Sequence, residues 1–101
     1  MEKNWHIGYS DIHGKGVFAT AKIEPGEIIG PARIAGKRTP IGRYVNHSAD
    51  PNAEMIELNI NEIYLRALQS IDGCKGGMLG DEITTNYRAN LSLIGVEKCL
   101  E

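Results

Sequence analysis

Cysteine is scarce in this chain. Of 101 residues only Cys74 and Cys99 carry a thiol, too few for a disulfide framework or a zinc cage. The three histidines, His6, His13 and His47, are scattered and none pairs with a cysteine at metal-ligand spacing, so no metal site is expected. Long apolar runs are also missing. No segment could span a membrane, and Met1 to His6 lack the hydrophobic stretch of an export signal; the expectation is an intracellular protein without membrane contact. In that setting the glycosylation-like triplets Asn46-His47-Ser48 and Asn90-Leu91-Ser92 read as coincidence. Charge of one sign is lacking too: a formal net charge of −2 and a pI near 5.9 give no hint of a phosphate-binding surface, and no nucleic-acid partner is expected.

What is present fits a globular domain. Hydrophobic residues make up 42% and charged residues 24% of the chain, which argues against disorder, and the length supports a single domain over residues 1–101. Twelve glycines and four prolines are spread along it, pointing to short elements and many turns. Val17 to Thr20 reads as a strand, Glu24-Pro25-Gly26-Glu27 as a turn with Pro and Gly at the positions their backbones favour, and Glu27 to Gly30 as a second strand. Pro31 to Gly42 reads as an irregular crossing. Ile56, Leu58 and Ile60 alternate with polar residues, the period-two pattern of a half-buried strand. Ile63, Leu65 and Ala67 resume it after Asn61-Glu62, predicting a hairpin. Gly73 to Gly80 reads as a glycine-rich loop, Ile83-Thr84-Thr85 as a β-branched strand, and Ala89 to Leu100 as the one stretch able to form a short helix. The fold class is mostly β.

Three stretches could carry chemistry. His13-Gly14-Lys15-Gly16-Val17-Phe18-Ala19 formally fits a dinucleotide fingerprint, but that motif needs a long helix behind it to meet the pyrophosphate. Pro25-Gly26 forbids such a helix, and what remains is a glycine turn where backbone can approach a ligand. Arg43-Tyr44-Val45-Asn46-His47-Ser48-Ala49-Asp50-Pro51-Asn52 packs many hydrogen-bonding side chains together; as isolated turn formers these would bond their own backbone, yet the order of residue types is more specific than turns require. Gly80-Asp81-Glu82-Ile83-Thr84-Thr85-Asn86-Tyr87 would by itself be a turn entering an edge strand that ends in a packed tyrosine.

Taken in order, the three resemble the signature of the SET-domain lysine methyltransferases. Gly14-Lys15-Gly16 resembles that family's early G-x-G, Arg43 to Ser48 with Pro51-Asn52 its R-F-x-N-H-S-x-x-P-N run, and Glu82 to Tyr87 its E-L-T-x-D-Y close. The resemblance covers about residues 5 to 88. It implies a fold of small β-sheets in which the N-H-S segment threads beside the C-terminal motif in a knot-like arrangement. It further implies that Lys15, Gly16, Asn46 and His47, with Arg43, hold S-adenosylmethionine, and that Tyr87 is the active-site tyrosine. The implied reaction is methyl transfer to the lysine of a protein or peptide partner. The rival is a SET-derived module that binds a partner without catalysis.

The sequence departs from the family pattern at several points. The region between Gly30 and Arg43 is short where relatives carry a substrate-shaping insertion, and no Y-x-G motif is evident, so dimerisation could supply a missing wall. Ala49 stands where a cysteine often follows N-H-S, and no cysteine-rich tail follows Tyr87; both agree with the absence of structural zinc. Thr85 replaces the usual Phe or Tyr, Asn86 the usual Asp, and Cys74 to Leu79 lengthens a loop that is normally brief.

Overall fold

The protein is seen in a computed structural model that describes residues 4–73 and 80–88. Along the described chain run β1 (Trp5–Tyr9), β2 (Lys15–Ala19), β3 (Ile28–Ile34), β4 (Lys37–Arg38), helix α1 (Pro40–Tyr44), β5 (Asn46–His47), β6 (Ala53–Asn59), β7 (Glu62–Ala67) and β8 (Glu82–Thr85). They form two four-stranded sheets, ordered β1-β2-β8-β5 and β4-β3-β7-β6. The mostly β architecture of small sheets is the one expected. The second sheet is antiparallel throughout, whereas in the first β5 joins β8 in parallel, with Asn46 beside Thr84 and His47 beside Thr85. β8 is therefore an inner strand, not an edge. Among the described residues no helix is long and apolar enough to cross a membrane.

Alternation places the core. Ile63, Leu65 and Ala67 of β7 are buried, as are Val17 of β2 and Ile83 of β8, which are cross-strand partners. Ile41 of α1 and Val45 just beyond it complete the packing between the sheets, and an isolated bridge between Ile23 and Ile71 closes the loop side with two more buried residues. Burying such aliphatic side chains contributes roughly 1.5–3 kcal/mol each relative to leaving them in water.

Two expectations require correction. Pro31 to Gly42 is not an irregular crossing: it holds most of β3, all of β4 and the start of α1. Pro31 is tolerated inside a strand because β4 pairs only with Arg33 and Ile34 and the β3–β7 register slips between Pro31 and Arg33, so no ladder bond is demanded of it. Ala35 and Gly36 both take positive φ, 54° and 78°, as a two-residue hairpin linking right-twisted strands requires. Thr39 then caps the helix, its hydroxyl accepting from the Gly42 N–H at 3.2 Å, with Pro40 in the first turn where a missing N–H costs nothing. A side chain at Gly42 would fall on the carbonyl of Ala32, so glycine lets α1 lie directly on β3.

The second correction concerns the face of β6. The register pairs Ala53 with Ala67 and Met55 with Leu65, and cross-strand partners share a face. Ala53 and Met55 therefore look inward; on the other face Ile56 is half-buried as expected, whereas Leu58 is exposed and Ile60, at the hairpin tip, is 87% exposed. Periodicity reveals two faces but not which one meets the core. The predicted tail helix over Ala89 to Leu100 lies outside the described residues, and β1 had no counterpart in the sequence reading.

These placements predict opposite responses from two isoleucine-class side chains. Leu65→Ala should cost about 2–5 kcal/mol of unfolding free energy, while Ile60→Thr should change it by no more than about 0.5 kcal/mol. Urea unfolding of the two variants checks the register; equal losses would contradict it.

Candidate active site

The parallel β5–β8 pairing brings the middle and last motifs together, and the β1–β2 turn brings the first. At their meeting point sits the side chain of Asn46, 7% exposed. Its amide nitrogen lies 2.8 Å from Glu82 Oε2, 3.1 Å from the Ser10 hydroxyl, 3.2 Å from the His13 carbonyl and 3.3 Å from the Lys15 carbonyl. Two amide hydrogens are thus shared among a ring of acceptors, which fixes which end of the amide points inward. Ser10 supports the same cluster by donating to the Glu82 carboxylate at 2.8 Å while accepting from the Ile12 N–H at 2.9 Å. Gly16 lies against this cluster: a side chain there would collide with the Glu82 carboxylate and sit 3.1 Å from Asn46 Nδ2.

Asn52, four residues beyond Ser48, does more than shape a turn. Its side chain accepts from the Thr84 N–H at 2.8 Å and donates to the Glu82 carbonyl at 2.9 Å, pairing with β8 as a strand would. The Ser48 N–H donates to the Thr85 carbonyl at 3.0 Å, extending the parallel ladder past His47.

Tyr87 lies two residues past the end of β8 and is held at three points. Its N–H donates to His47 Nδ1 at 3.0 Å, its hydroxyl donates to the Val45 carbonyl at 2.6 Å, and its ring lies 5.1 Å from the His47 ring, tilted by 50°. Because Nδ1 accepts, the neutral His47 ring carries its proton on Nε2. Partial burial raises the Tyr87 phenol above its ordinary pKa of 10.0, with the Arg38 guanidinium pulling the other way.

Beside these groups opens a cleft of about 600 Å³ lined by residues of the first and middle motifs and by Tyr87, a size that suits a small-molecule cofactor. Lys15, Arg43, Asn46, His47 and Tyr87, all singled out from sequence, reach it; Gly16 is not in its wall. Ile12 and Tyr44 add apolar surface, and neither Lys15 nor Arg43 is in an ion pair with a described carboxylate. Thr85 is fully buried and stays out of the wall. Sequence reasoning passed over Ser10, the carboxylate of Glu82, the strand-like role of Asn52 and the carbonyl of Val45. Glu82 and Asn52 were inside quoted motifs, but a letter does not say that a side chain points inward; Ser10 carried no signal.

Fold and geometry together give a small β protein in which the three sequence motifs meet at a cleft of mixed polar and apolar lining. In structure it is similar to the Plasmodium falciparum "putative histone methyltransferase PFL0690c", with a TM-score of 0.62 and 25% sequence identity over 82% of this chain and 96% of that one. No family model matches the sequence, and no curated protein matches it. The likeness is thus to a methyltransferase fold.

Two predictions follow from the geometry. Asn46→Ala leaves the Glu82 carboxylate and two backbone carbonyls short of a donor, so it should lower stability by about 1–3 kcal/mol or more, read as a fall in Tm, with Asn46→Gln failing to restore it because the longer amide does not fit. For Tyr87, the raised pKa means that the folded state disfavours the phenolate. Its contribution to stability is complete below pH 10 and is lost as pH rises through the folded pKa. Unfolding free energy measured across the alkaline range should fall less steeply in Tyr87→Phe than in the unaltered protein; identical curves would contradict the assignment.

Proposed function

We propose that this chain is a minimal SET-domain enzyme that transfers a methyl group from S-adenosylmethionine to a lysine of a protein. The observation that carries the reading is the pairing of the Tyr87 and Val45 oxygens, 2.6 Å apart, beside a cleft that also holds Lys15 and Arg43. The likeness to a named methyltransferase of similar fold supports it.

The cleft fits the cofactor chemically. Lys15 and Arg43 offer cationic donors for a carboxylate, Arg43 through a planar fork suited to two-point contact, and Ile12 and Tyr44 offer surface to a heterocycle. When bound, S-adenosylmethionine supplies a methyl group on a positively charged sulfur, to be taken by an uncharged amine.

The residues of the chain then act by position and field. Tyr87 donates a hydrogen bond from its hydroxyl to the Val45 carbonyl, which leaves the phenol lone pairs free to accept. The Tyr87 oxygen, in a side chain that lines the cleft, can then meet a positive centre and polarised C–H groups through weak C–H···O contacts. A phenol is neutral at physiological pH, and partial burial raises its pKa further, so Tyr87 is an acceptor and not a base. The amine must shed its proton beforehand: a free lysine has a pKa of about 10.4, and leaving water for an apolar channel disfavours its ammonium form. Holding amine and methyl in line supplies the rest of the acceleration.

Tyr87→Phe keeps the ring packed on His47 but removes the oxygen. Methyl transfer to protein should fall by about 10²–10³-fold, while the affinity for S-adenosylmethionine, titrated by calorimetry, stays within a few-fold. A variant that transfers label as fast as the unaltered chain would remove Tyr87 from this role, and cofactor binding without transfer to any protein of a mixed lysate would favour a binding module.

A further inference from the structure

Outside the cleft, the β3–β4 hairpin carries an arrangement that folding does not call for. Arg33 and Arg38 are direct cross-strand partners, and like charges placed opposite one another destabilise a sheet. Lys37, next to Arg38 on the same two-residue edge strand, pairs with Ile34 and belongs to the other face, and β4 is exposed throughout. No described carboxylate forms an ion pair with any of the three. Arg33 reaches only the Gly36 carbonyl, at 2.8 Å. Several carboxylates of the described chain are occupied elsewhere: Glu54 by Arg66, Glu82 by Asn46 and Ser10, Glu62 by Asn59 and Tyr64. In the row that runs across the sheet from Arg38 through Arg33 and Ile63, Glu57 stands at the far strand, with buried Ile63 between it and the arginines.

The hairpin runs through Thr39 directly into α1, whose Arg43 and Tyr44 line the cleft together with Tyr87. The Arg38 guanidinium pulls on the Tyr87 phenol through space, yet Arg38 is not in the wall of the cleft. Arg88, exposed and next in the chain after Tyr87, adds a further cation. We infer that Arg33 and Arg38 form a rim that docks a protein segment whose lysine is flanked by aspartate and glutamate. The inference rests on the methyltransferase reading for its orientation toward a lysine, and charge complementarity selects the occupant: acidic flanks pair with the rim, whereas a lysine set among other cations meets like charge. A nucleic acid would also answer to cations, but the chain as a whole is net negative, which opposes a polyanion beyond the rim.

Binding is tested with short fluorescein-labelled peptides bearing one central lysine, flanked by Asp and Glu, by Ala and Ser, or by Arg and Lys. They are titrated into the full chain at low ionic strength and followed by anisotropy. The acidic peptide should bind about tenfold more tightly than the neutral one, and the advantage should shrink with added salt. Arg38→Gln and Arg33→Gln, which relieve a like-charge pair and so leave the fold intact by circular dichroism, should each reduce it; Arg38→Glu should reverse it. Equal binding of acidic and neutral peptides, tighter binding of the basic peptide, or a single-stranded oligonucleotide outcompeting the acidic peptide would each overturn the inference. The same peptides incubated with labelled S-adenosylmethionine separate the two ideas. An acidic peptide that binds through Arg38 yet gains no label keeps the rim and removes the methyltransferase reading, while labelling without acidic preference removes the rim alone.

Discussion

Everything about the site depends on one buried amide. Asn46 ties the β1–β2 turn, through Ser10 and the carbonyls of His13 and Lys15, to Glu82 at the start of β8. These groups are far apart in sequence, and no apolar contact could fix their relative position as sharply, because hydrophobic burial is non-directional whereas a hydrogen-bonded network has one satisfied arrangement. The cluster leaves nothing stranded: among the described residues no buried side-chain nitrogen or oxygen lacks a partner. That completeness matters, since a half-satisfied polar cluster inside so small a core would cost more than the cluster returns.

The constraint propagates outward. With Asn46 anchored, β5 is pinned beside β8, and the short parallel ladder continues into the Ser48–Thr85 bond and the strand-like pairing of Asn52. Parallel strands of two residues have little stability of their own; here side-chain amides on both flanks substitute for missing ladder length. Tyr87, two residues past the end of β8, then has no freedom to leave, because His47 accepts from its N–H and Val45 from its hydroxyl. Gly16 belongs to the same logic. Its lack of a side chain makes room for Glu82, so a residue that resemblance would assign to a ligand is also needed by the wall behind it.

Sequence made parts of this legible. Strand β7 was readable because Ile63, Leu65 and Ala67 alternate cleanly and all face the core, and the motif residues Lys15, Arg43, Asn46, His47 and Tyr87 do meet at one cleft. The face of β6 was not readable, because Met55 and Ile56 are both apolar and only pairing with β7 decides between them. Pro31 and Gly36 looked like breaks, since a proline in a strand is permitted only where a ladder bond is absent, and that absence is a property of the neighbouring strand. Ser10 and the carboxylate of Glu82 stayed hidden for a third reason: polar letters do not reveal burial, and only the fold turns them inward.

Net charge hides a further division of labour. A chain that sums to −2 nonetheless sets Lys15 and Arg43 at the cleft and Arg33 and Arg38 on the β3–β4 hairpin without described acidic partners. Glu82, the carboxylate nearest the site's foundations, is partly buried and wrapped in donors, which blunts its field at the cleft. Under the proposed methyl transfer, a site that held an anionic group and a positive centre would gain from such separation. Fixed cations around the rim would oppose an ammonium entering the same space and so favour loss of its proton, while the Tyr87 hydroxyl, hydrogen-bonded to the Val45 carbonyl, would present negative potential to the positive centre only over a short range. Placing the cations a few ångströms too close would repel the positive centre as well, and the hairpin geometry of β3 and β4, set by Ala35 and Gly36, is what holds Arg33 and Arg38 outside the cleft instead of inside it.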